Sequence, residues 1–372
     1  MIMGEVSAEN VFKPGCFSRY TYVCRQAPLI EETYEDKLEQ DLKVSGCLIS
    51  IVGPSKSGKT LLCEKVIENN RLIEVSGIDF DEDNNLWKVI LKKLNFTSEK
   101  WSKDKIINYF KENNLVLLLD DFHYASKAIQ LNIAKQLKYA LNKELKVIII
   151  SLPLLTDEAI RKNVDLIGRL ILINVEPWKE KELQCIAING YKKLGMDISQ
   201  KYISNIATES LTSPQLMQSI CLNLYFLIVN SNIKNVDVGD KLLEKAYKRT
   251  TLNFEYKDVI KVLREGIRSR LNTRETYMIS GGKFLNSNEL IVNAIALNPP
   301  KMIMTVDELF LRVDSIIIDD KKIIKSEIEA TLDKIVEMLK VEDPLYQVIS
   351  YDGINVEILD PLFLFYLRWS GV

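Results

Sequence analysis

The sequence predicts an α/β fold in which a parallel sheet is flanked by helices and followed by two mostly helical regions. Apolar runs alternate with amphipathic helical patterns through residues 46–176. Residues 177–254 then show helical patterns only, and residues 255–372 combine helices with a strand–turn–strand signal. Continuous apolar strands separated by helices are typical of a parallel sheet that is covered on both faces.

Five apolar runs predict the strands of the sheet. Their length and their β-branched composition favour buried strands over helices. The runs cover residues 47–52, 72–75, 115–119, 145–150 and 170–175. The helices between them are predicted after Lys59 and over residues 86–94, 103–111 and 128–141.

The second half of the chain predicts a small helical domain and a terminal domain. The helical patterns cover residues 179–194, 200–209, 214–229 and 236–249, and then 258–271, 288–296, 305–313 and 325–339. Asp352-Gly353 separates two short apolar runs, which is a strong hairpin signal. Helices followed by such a hairpin predict a winged-helix arrangement.

Composition limits the classes of function. The 372 residues carry a formal net charge of −2, so the whole chain has no bias towards polyanions. The six cysteines are scattered without a C-x-x-C pair and there is one histidine, which disfavours a zinc site and a disulfide framework. No signal peptide and no spanning segment are predicted, so we expect a soluble cytoplasmic protein without membrane contact.

One region departs from the neutral average. Between Lys241 and Lys283 the chain has eleven lysines and arginines against five acidic residues. Such a run is a solvated helix face or a surface for nucleic acid or an acidic partner, and the sequence leaves both open.

The chemistry of the chain centres on the segment that follows the first strand. It has the spacing G-x-x-x-x-G-K-T and is followed at once by a helical pattern. Glycines let the backbone N–H groups turn inward, and the helix N-terminus adds its positive end. Lys59 supplies charge for β- and γ-phosphates, and the Thr60 hydroxyl is placed for Mg²⁺. The predicted nucleotide-binding residues are Gly53, Pro54, Ser55, Lys56, Ser57, Gly58, Lys59, Thr60 and Leu61.

A second acidic element completes this prediction. The apolar strand 115–119 ends in Asp120 and Asp121. Asp120 is the predicted partner of Thr60 at Mg²⁺, so the sequence predicts an ATPase that uses ATP and Mg²⁺. Asp121 stands where many such enzymes have a glutamate that polarises the attacking water. Its side chain is one methylene shorter, so we expect slow turnover.

The segment Asp120-Asp121-Phe122-His123-Tyr124 resembles the acid-acid-apolar-His-aromatic segment of the signal-transduction ATPases with numerous domains, the STAND class. His123 fits either a γ-phosphate sensor or a packed side chain. Ser151, at the end of the fourth strand, fits either the polar phosphate sensor of related ATPases or an ordinary strand end.

Other segments resemble AAA+ proteins related to the origin-recognition ATPases. The residues before the fifth strand are similar to an arginine-finger segment, which implies Arg169, with Arg161 as its alternative, entering the site of a neighbouring subunit. Gln215 stands where these proteins usually place a lid arginine, a departure that puts that phosphate contact in doubt. The segment before the phosphate-binding loop resembles the segment that runs along the adenine base in these families, which implies Tyr22 and Val23 as the residues next to the base.

The ending Asp360-Pro361 with Tyr366-Leu367-Arg368-Trp369 resembles archaeal-type ATPases of the STAND class. The resemblance implies four segments: an adenine-side segment 1–45, a P-loop NTPase core 46–176, a helical lid 177–254 and a winged-helix domain 255–372.

Three functions follow as hypotheses. The first is a nucleotide-dependent switch that binds ATP and ADP, self-associates or acts on a separate effector protein, and serves prokaryotic defence or signalling, as the resemblance implies. The second is a DNA-associated AAA+ regulator of the loader or transposition type, favoured by the winged helix and the basic run. The third is a scaffold that binds ATP without hydrolysing it.

Overall fold

The computed structural model describes residues 6–28, 31–80, 85–96, 101–152, 166, 168–231, 239–265, 275–318, 322–342 and 347–371. The chain forms two compact units. The sheet unit comprises Gly15–Phe17 and Tyr22–Pro177, and the helical unit comprises Met1–Pro14, Ser18–Thr21 and Trp178–Val372. The lid and the terminal domain of the sequence prediction fall within this one helical unit.

The sheet unit contains five parallel strands. They are β1 (Leu48–Val52), β2 (Leu72–Ser76), β3 (Val116–Asp120), β4 (Lys146–Ser151) and β5 (Leu170–Asn174). Their order across the sheet is β2-β3-β4-β1-β5. In register, Val52 lies opposite both Ser151 and Asn174, and Leu48 lies opposite Leu170. The carboxyl ends of β1, β3 and β4 therefore meet at one edge, where ligands of open α/β sheets bind.

Helices cover both faces of this sheet. They are α2 (Tyr34–Asp41), α3 (Lys59–Val66), α4 (Leu86–Lys93), α5 (Lys103–Glu112) and α6 (Lys127–Asn142). Successive strand residues point to opposite faces, so Leu117 and Leu119 join one buried cluster with side chains of α4, α5 and α6. Val116 and Leu118 join the other cluster, with α2 and α3. The α/β prediction for this part of the chain is confirmed.

The helical unit begins with the short helix α1 (Ala8–Val11) and continues after the sheet unit. Four helices follow, α7 (Glu180–Lys193), α8 (Gln200–Glu209), α9 (Pro214–Asn230) and α10 (Asp240–Thr251). Then come α11 (Lys257–Glu265), α12 (Ser287–Ile295), α13 (Val306–Ile316), α14 (Lys325–Glu342) and α15 (Pro361–Trp369). Phe12 is fully buried in this unit, and its ring lies edge-on to Tyr191 with 5.1 Å between centroids.

Two antiparallel sheets complete the helical unit. β6 (Thr276–Ile279) pairs with β7 (Lys283–Asn286). β8 (Ile303–Thr305), β9 (Ile349–Tyr351) and β10 (Asn355–Ile358) form a second sheet in the order β8-β10-β9. The hairpin predicted at Asp352-Gly353 is β9–β10, with Gly353 at a φ of +93°. The strands β6, β7 and β8 were not predicted, because runs of three or four residues give too little periodicity to recognise.

Most predicted helices and strands lie within a few residues of those observed. The predicted helix 236–249 is observed as α10, and part of its expected start falls outside the described residues. The same holds for the end of the helix predicted at 258–271, and for Arg161 and three arginines of the basic run (Arg268, Arg270, Arg274). Among the described residues, no helix has the length and apolarity needed to cross a bilayer.

Candidate functional site

The segment from Gly53 to Gly58 joins the end of β1 to the first residue of α3. A Cβ atom at Gly53 would lie 2.5 Å from the carbonyl oxygen of Val175, so only glycine fits there without displacing backbone. Gly58 precedes α3 with a φ of +90°, a left-handed conformation that favours glycine. The two glycines of the motif therefore have different structural roles, Gly53 at a close backbone approach and Gly58 in the turn into the helix.

Lys59 is buried inside this loop. Its ammonium group donates hydrogen bonds to the carbonyl oxygens of Gly53 at 2.9 Å and Pro54 at 2.6 Å. Burial lowers the pKa of Lys59 to about 8, although the nearby carboxylates of Asp120 and Asp121 act in the opposite direction. The charge predicted to meet phosphate is thus held at the centre of the loop in a poorly hydrated environment.

Thr60 and Asp120 are in direct contact, although sixty residues separate them in sequence. The Thr60 hydroxyl donates to Oδ2 of Asp120 at 2.7 Å, and the backbone N–H of Asp121 donates to Oδ1 at 2.8 Å. Burial raises the pKa of Asp120, while the Thr60 hydrogen bond lowers it. The structure brings the two predicted Mg²⁺ residues together at the carboxyl edge of the sheet.

The donor set at this edge fits a hard divalent cation. A hydroxyl and carboxylates are the oxygen ligands that Mg²⁺ prefers. Glu64 and Glu74 interact electrostatically with this site. Burial, and then the negative charge of Asp120, raise the pKa of both carboxyl groups. The residues that would hold Mg²⁺ are Thr60 and Asp120, and the surplus of negative charge around them favours a cation.

Asp121 is held in an unusual backbone conformation. Its φ of 47° and ψ of 39° lie in the left-handed region, which costs about 1 kcal/mol or more for a residue other than glycine. A Cβ atom at Gly77 would lie 2.3 Å from the carbonyl oxygen of Asp121. The sequence alone did not identify Gly77, because nothing in its own segment reveals that a neighbouring strand end approaches so closely.

Ser151 lies beside the start of the phosphate-binding segment. β4 lies between β1 and β3, so its last residue, Ser151, is buried between the loop and the strand that ends in Asp120. The N–H of Gly53 donates to the Ser151 carbonyl at 3.4 Å. This position fits the predicted phosphate sensor, and the assignment stays a prediction. His123 lies in a short helical turn from Phe122 to Tyr124.

Arg169 lies at the amino ends of the strands, the end of the sheet opposite the phosphate-binding segment. It precedes β5, and its carbonyl accepts from the N–H of Leu48 at 2.8 Å, at the amino end of β1. A Cβ atom at Gly46 would lie 3.9 Å from Nη1 of Arg169, so the guanidinium lies beside Gly46. The structure does not bring Arg169 to the phosphate-binding segment of its own chain, and a role in a neighbouring subunit stays a prediction.

The two predicted adenine-side residues are half-buried in the sheet unit. The Tyr22 hydroxyl donates to Glu35, and its ring lies 5.4 Å from the ring of Phe17 and 5.8 Å from Nζ of Lys65. Val23 is likewise half-buried. Gln215 belongs to the other unit, in the first turn of α9, so the structure does not group it with these residues.

Sequence reasoning missed the role of Arg25. Its side chain is buried and donates to the carbonyl oxygens of Glu176 at 2.9 Å and Pro177 at 3.0 Å. Tyr34 supports the same segment, because its hydroxyl accepts from the N–H of Glu176 at 3.1 Å. The lead-in segment thus fixes the last residues of the sheet unit, a contact that spans about 150 positions and leaves no local signal.

Comparisons with known proteins agree with this geometry at the level of the fold. No family model and no curated protein sequence matches the chain. Among solved structures, the Walker-type ATPase PABY2304 of Pyrococcus abyssi is similar with a TM-score of 0.51 and 16% identity, over 90% of this chain and 94% of that chain. The ORC2 protein of Aeropyrum pernix gives a TM-score of 0.49 and 11% identity, over 96% of each chain. Cdc6p from Pyrobaculum aerophilum gives 0.44 and 13%, over 97% of this chain and 96% of that chain.

The fold and the site define the class. A parallel five-stranded sheet flanked by helices, with a G-x-x-x-x-G-K-T segment after its first strand, is the α/β fold of a P-loop ATPase. The similarity to the Pyrococcus abyssi ATPase supports the same fold. The predicted fold class is confirmed.

Proposed function

We propose that this chain is an ATP-binding, Mg²⁺-dependent ATPase that works as a nucleotide-dependent switch with slow hydrolysis. The observation that supports this most directly is the hydrogen bond between Thr60 and Asp120, at the same sheet edge as the buried Lys59. These three residue types are the phosphate- and Mg²⁺-binding parts that P-loop NTPases use in phosphoryl transfer. We further propose a cytoplasmic location.

In this proposal each residue has one task. The backbone N–H groups of residues 53–60 hold the phosphates, and Lys59 exchanges the two carbonyl groups that it now contacts for β- and γ-phosphate oxygens. Mg²⁺, when bound, offsets phosphate charge at Thr60 and Asp120. Asp121 orients the attacking water, and Ser151 reports on the γ-phosphate. Tyr22 and Val23 lie along adenine, and Gln215 belongs to a lid that reads nucleotide without the usual arginine.

Two features support slow turnover. The Asp121 carboxylate is one methylene shorter than the glutamate common at this position, so it reaches the water less well. Its backbone is also fixed in the left-handed region beside Gly77, which limits any adjustment towards the γ-phosphate. A slow ATPase spends most of its time with ATP or ADP bound, which suits a switch.

The switch is proposed to act with other chains. Arg169 lies away from the phosphate-binding segment of its own subunit, so an arginine-finger role requires self-association. The resemblance to the STAND class and to AAA+ proteins supports a regulatory ATPase that acts on a separate effector, in defence or signalling. The terminal α12–β8–α13–α14–β9–β10 segment supports a winged-helix domain, since it has the expected chain order.

Turnover and binding test this function. We expect wild-type protein to bind ATP with Mg²⁺ and to hydrolyse it slowly, below about 1 s⁻¹, the lower end of common enzyme rates. Lys59→Ala should lose binding, and Asp120→Ala should keep weak binding but lose hydrolysis. Binding without any turnover that these variants abolish would instead support the ATP-binding scaffold.

The DNA-associated alternative has a specific weakness in the terminal domain. If this domain is a winged helix, α14 is its third helix and would face the groove. Its solvent side carries Glu329, Asp333 and Glu337, which would repel phosphates. Salt-sensitive binding of duplex DNA would nevertheless favour this alternative, and its absence at low salt would exclude it.

A further inference from the structure

The helical unit exposes a basic face with apolar side chains on α9 and α10. The guanidinium of Arg249 lies 5.5 Å from the centre of the Phe226 ring, and Asn223 donates to Thr250 at 3.0 Å, so the two helices are fixed side by side. One further residue, Leu252, is 82% exposed at the end of α10. We define the basic face as Phe226, Val229, Lys241, Lys245, Arg249 and Leu252.

The cations of this face follow helical spacing. Lys241, Lys245 and Arg249 are one turn apart and all three are exposed, so they form a stripe along α10. The same helix has two acids, and both are paired outside the stripe: Asp240 with Lys201 at 3.2 Å and Glu244 with Lys248 at 2.6 Å. Val229, three residues after Phe226 on α9, is 49% exposed. The face therefore combines positive charge with apolar surface.

A second face of the same unit has the opposite charge. Lys325 at the start of α14 contacts Asp307 on α13 and lies 4.0 Å from Glu329, which joins the two helices into one surface. Leu311 is 66% exposed one turn after Asp307, and Ile324 is 63% exposed beside Lys325. We define the acidic face as Asp307, Leu311, Ile324, Glu329, Asp333 and Glu337.

The acids of this face are also arranged in a stripe. Glu329, Asp333 and Glu337 are one turn apart on α14, and the last two are exposed. The hairpin β9–β10 extends the surface, because burial and then the negative charges of Glu329 and Asp333 raise the pKa of Tyr351. The acidic face thus matches the basic face in helical spacing, with opposite sign and with its own apolar side chains.

We propose that copies of this chain associate head to tail, with the basic face of one copy seated on the acidic face of the next. Both faces belong to the same compact unit, so each copy carries both halves of the contact. Their charges are complementary, and the apolar side chains on each would be removed from water together. A duplex nucleic acid would pair with the cations but would leave Leu252 and Val229 without an apolar partner.

This inference names surfaces that the proposed ATPase function does not specify, and it requires no nucleotide. A contact between two different faces generates rings or filaments rather than closed dimers. Because both stripes are solvent-facing, the association should weaken as salt screens them.

Charge reversal tests the proposal by sedimentation velocity without nucleotide. Wild-type protein should self-associate at low salt, and association should weaken at least tenfold on going to high salt. Lys241→Glu/Lys245→Glu and Asp333→Lys/Glu337→Lys should each weaken association at least tenfold. The chain with all four substitutions should regain it to within about threefold, because both faces are then reversed together.

A matched control makes the same change of charge elsewhere. Lys181 and Lys192 are exposed on α7, outside both faces, so Lys181→Glu/Lys192→Glu should leave association unchanged. Circular dichroism checks the fold of each variant. A monomeric wild type at every concentration, whether or not it binds duplex DNA, would overturn the proposal, as would equal weakening by the control. Lys59→Met separates the head-to-tail association from the proposed ATPase function, because this variant should lose nucleotide binding yet keep the association.

Discussion

Arg368 and Glu209 form a buried bidentate ion pair within the helical unit. Nη2 of Arg368 donates to Oε1 of Glu209 at 2.6 Å, and Nε donates to Oε2 at 3.1 Å. Trp369 adds a third donor to the same carboxylate at 2.7 Å. The guanidinium also contacts the Ala296 carbonyl and Asn298. The terminal Y-L-R-W segment of α15 therefore holds α8 and the end of α12 together within the helical unit.

Glu209→Ala should strongly destabilise the helical unit. The substitution leaves the Arg368 guanidinium, whose side chain is 6% exposed, without its carboxylate. Breaking a buried pair in this way typically costs about 3–5 kcal/mol. Urea unfolding followed by circular dichroism measures the loss, and the exposed pair Glu244–Lys248 supplies the control. Glu244→Ala should cost no more than about 0.5 kcal/mol, and equal costs for the two variants would contradict a specific role for Glu209.

Lys59→Met should change the pH dependence of stability in a defined direction. The folded-state pKa of Lys59 is about 8 against an ordinary value of 10.5, so the unfolded chain binds its proton more tightly. Wild type carries a burial penalty below pH 8 that disappears as pH rises towards 10.5. The stability of wild type relative to Lys59→Met should therefore increase by about 3 kcal/mol across that interval.

Denaturant midpoints of the two proteins without nucleotide, compared from pH 7 to pH 10.5, check this prediction. The variant serves as the reference for the wild type, because the two proteins share every titrating group except Lys59. A difference in stability that stays constant with pH would show that burial does not depress the pKa of Lys59.

Gly77→Ala should reduce hydrolysis more than nucleotide binding. The added methyl group would lie 2.3 Å from the Asp121 carbonyl oxygen, so the turn after β3 must move. Displacing Asp121, the proposed water-orienting residue, by about 1 Å should cost about a hundredfold in rate, whereas the residues of segment 53–60 are expected to stay in place. Steady-state turnover and fluorescent-nucleotide binding measure the two effects separately. Gly168→Ala is the control, since its added methyl group would meet nothing within 4 Å; equal turnover in both variants would contradict the prediction.

The sequence predicted those parts of the site that lie within one continuous segment. The spacing from Gly53 to Thr60 and the acids after β3 are local patterns, so the loop and the position of Asp120 at a strand end could be predicted, whereas the left-handed backbone of Asp121 could not. Their meeting was predictable because parallel strands share a carboxyl edge. Gly77 and Arg25 could not be predicted, since each acts through a backbone carbonyl far away in sequence. The short strands β6 to β8 were not predicted for a different reason, because their pairing rather than their composition defines them.

Arg25→Met should loosen the end of the sheet unit without unfolding it. The methionine keeps an apolar stem but removes the donors to the carbonyl oxygens of Glu176 and Pro177. Leaving such groups unpaired costs about 1–3 kcal/mol, and the cost falls on the segment next to β5. In peptides that cover residues 172–178, hydrogen exchange should therefore accelerate by roughly tenfold or more, since each 1.4 kcal/mol is a factor of ten. Exchange in β1 and β3 should stay unchanged.

The exposed Arg19, whose guanidinium lies over Tyr20 at 4.8 Å, gives the control Arg19→Met. If exchange in 172–178 is the same in both variants, Arg25 does not fix this segment, and the Tyr34 hydroxyl alone holds Glu176 in place.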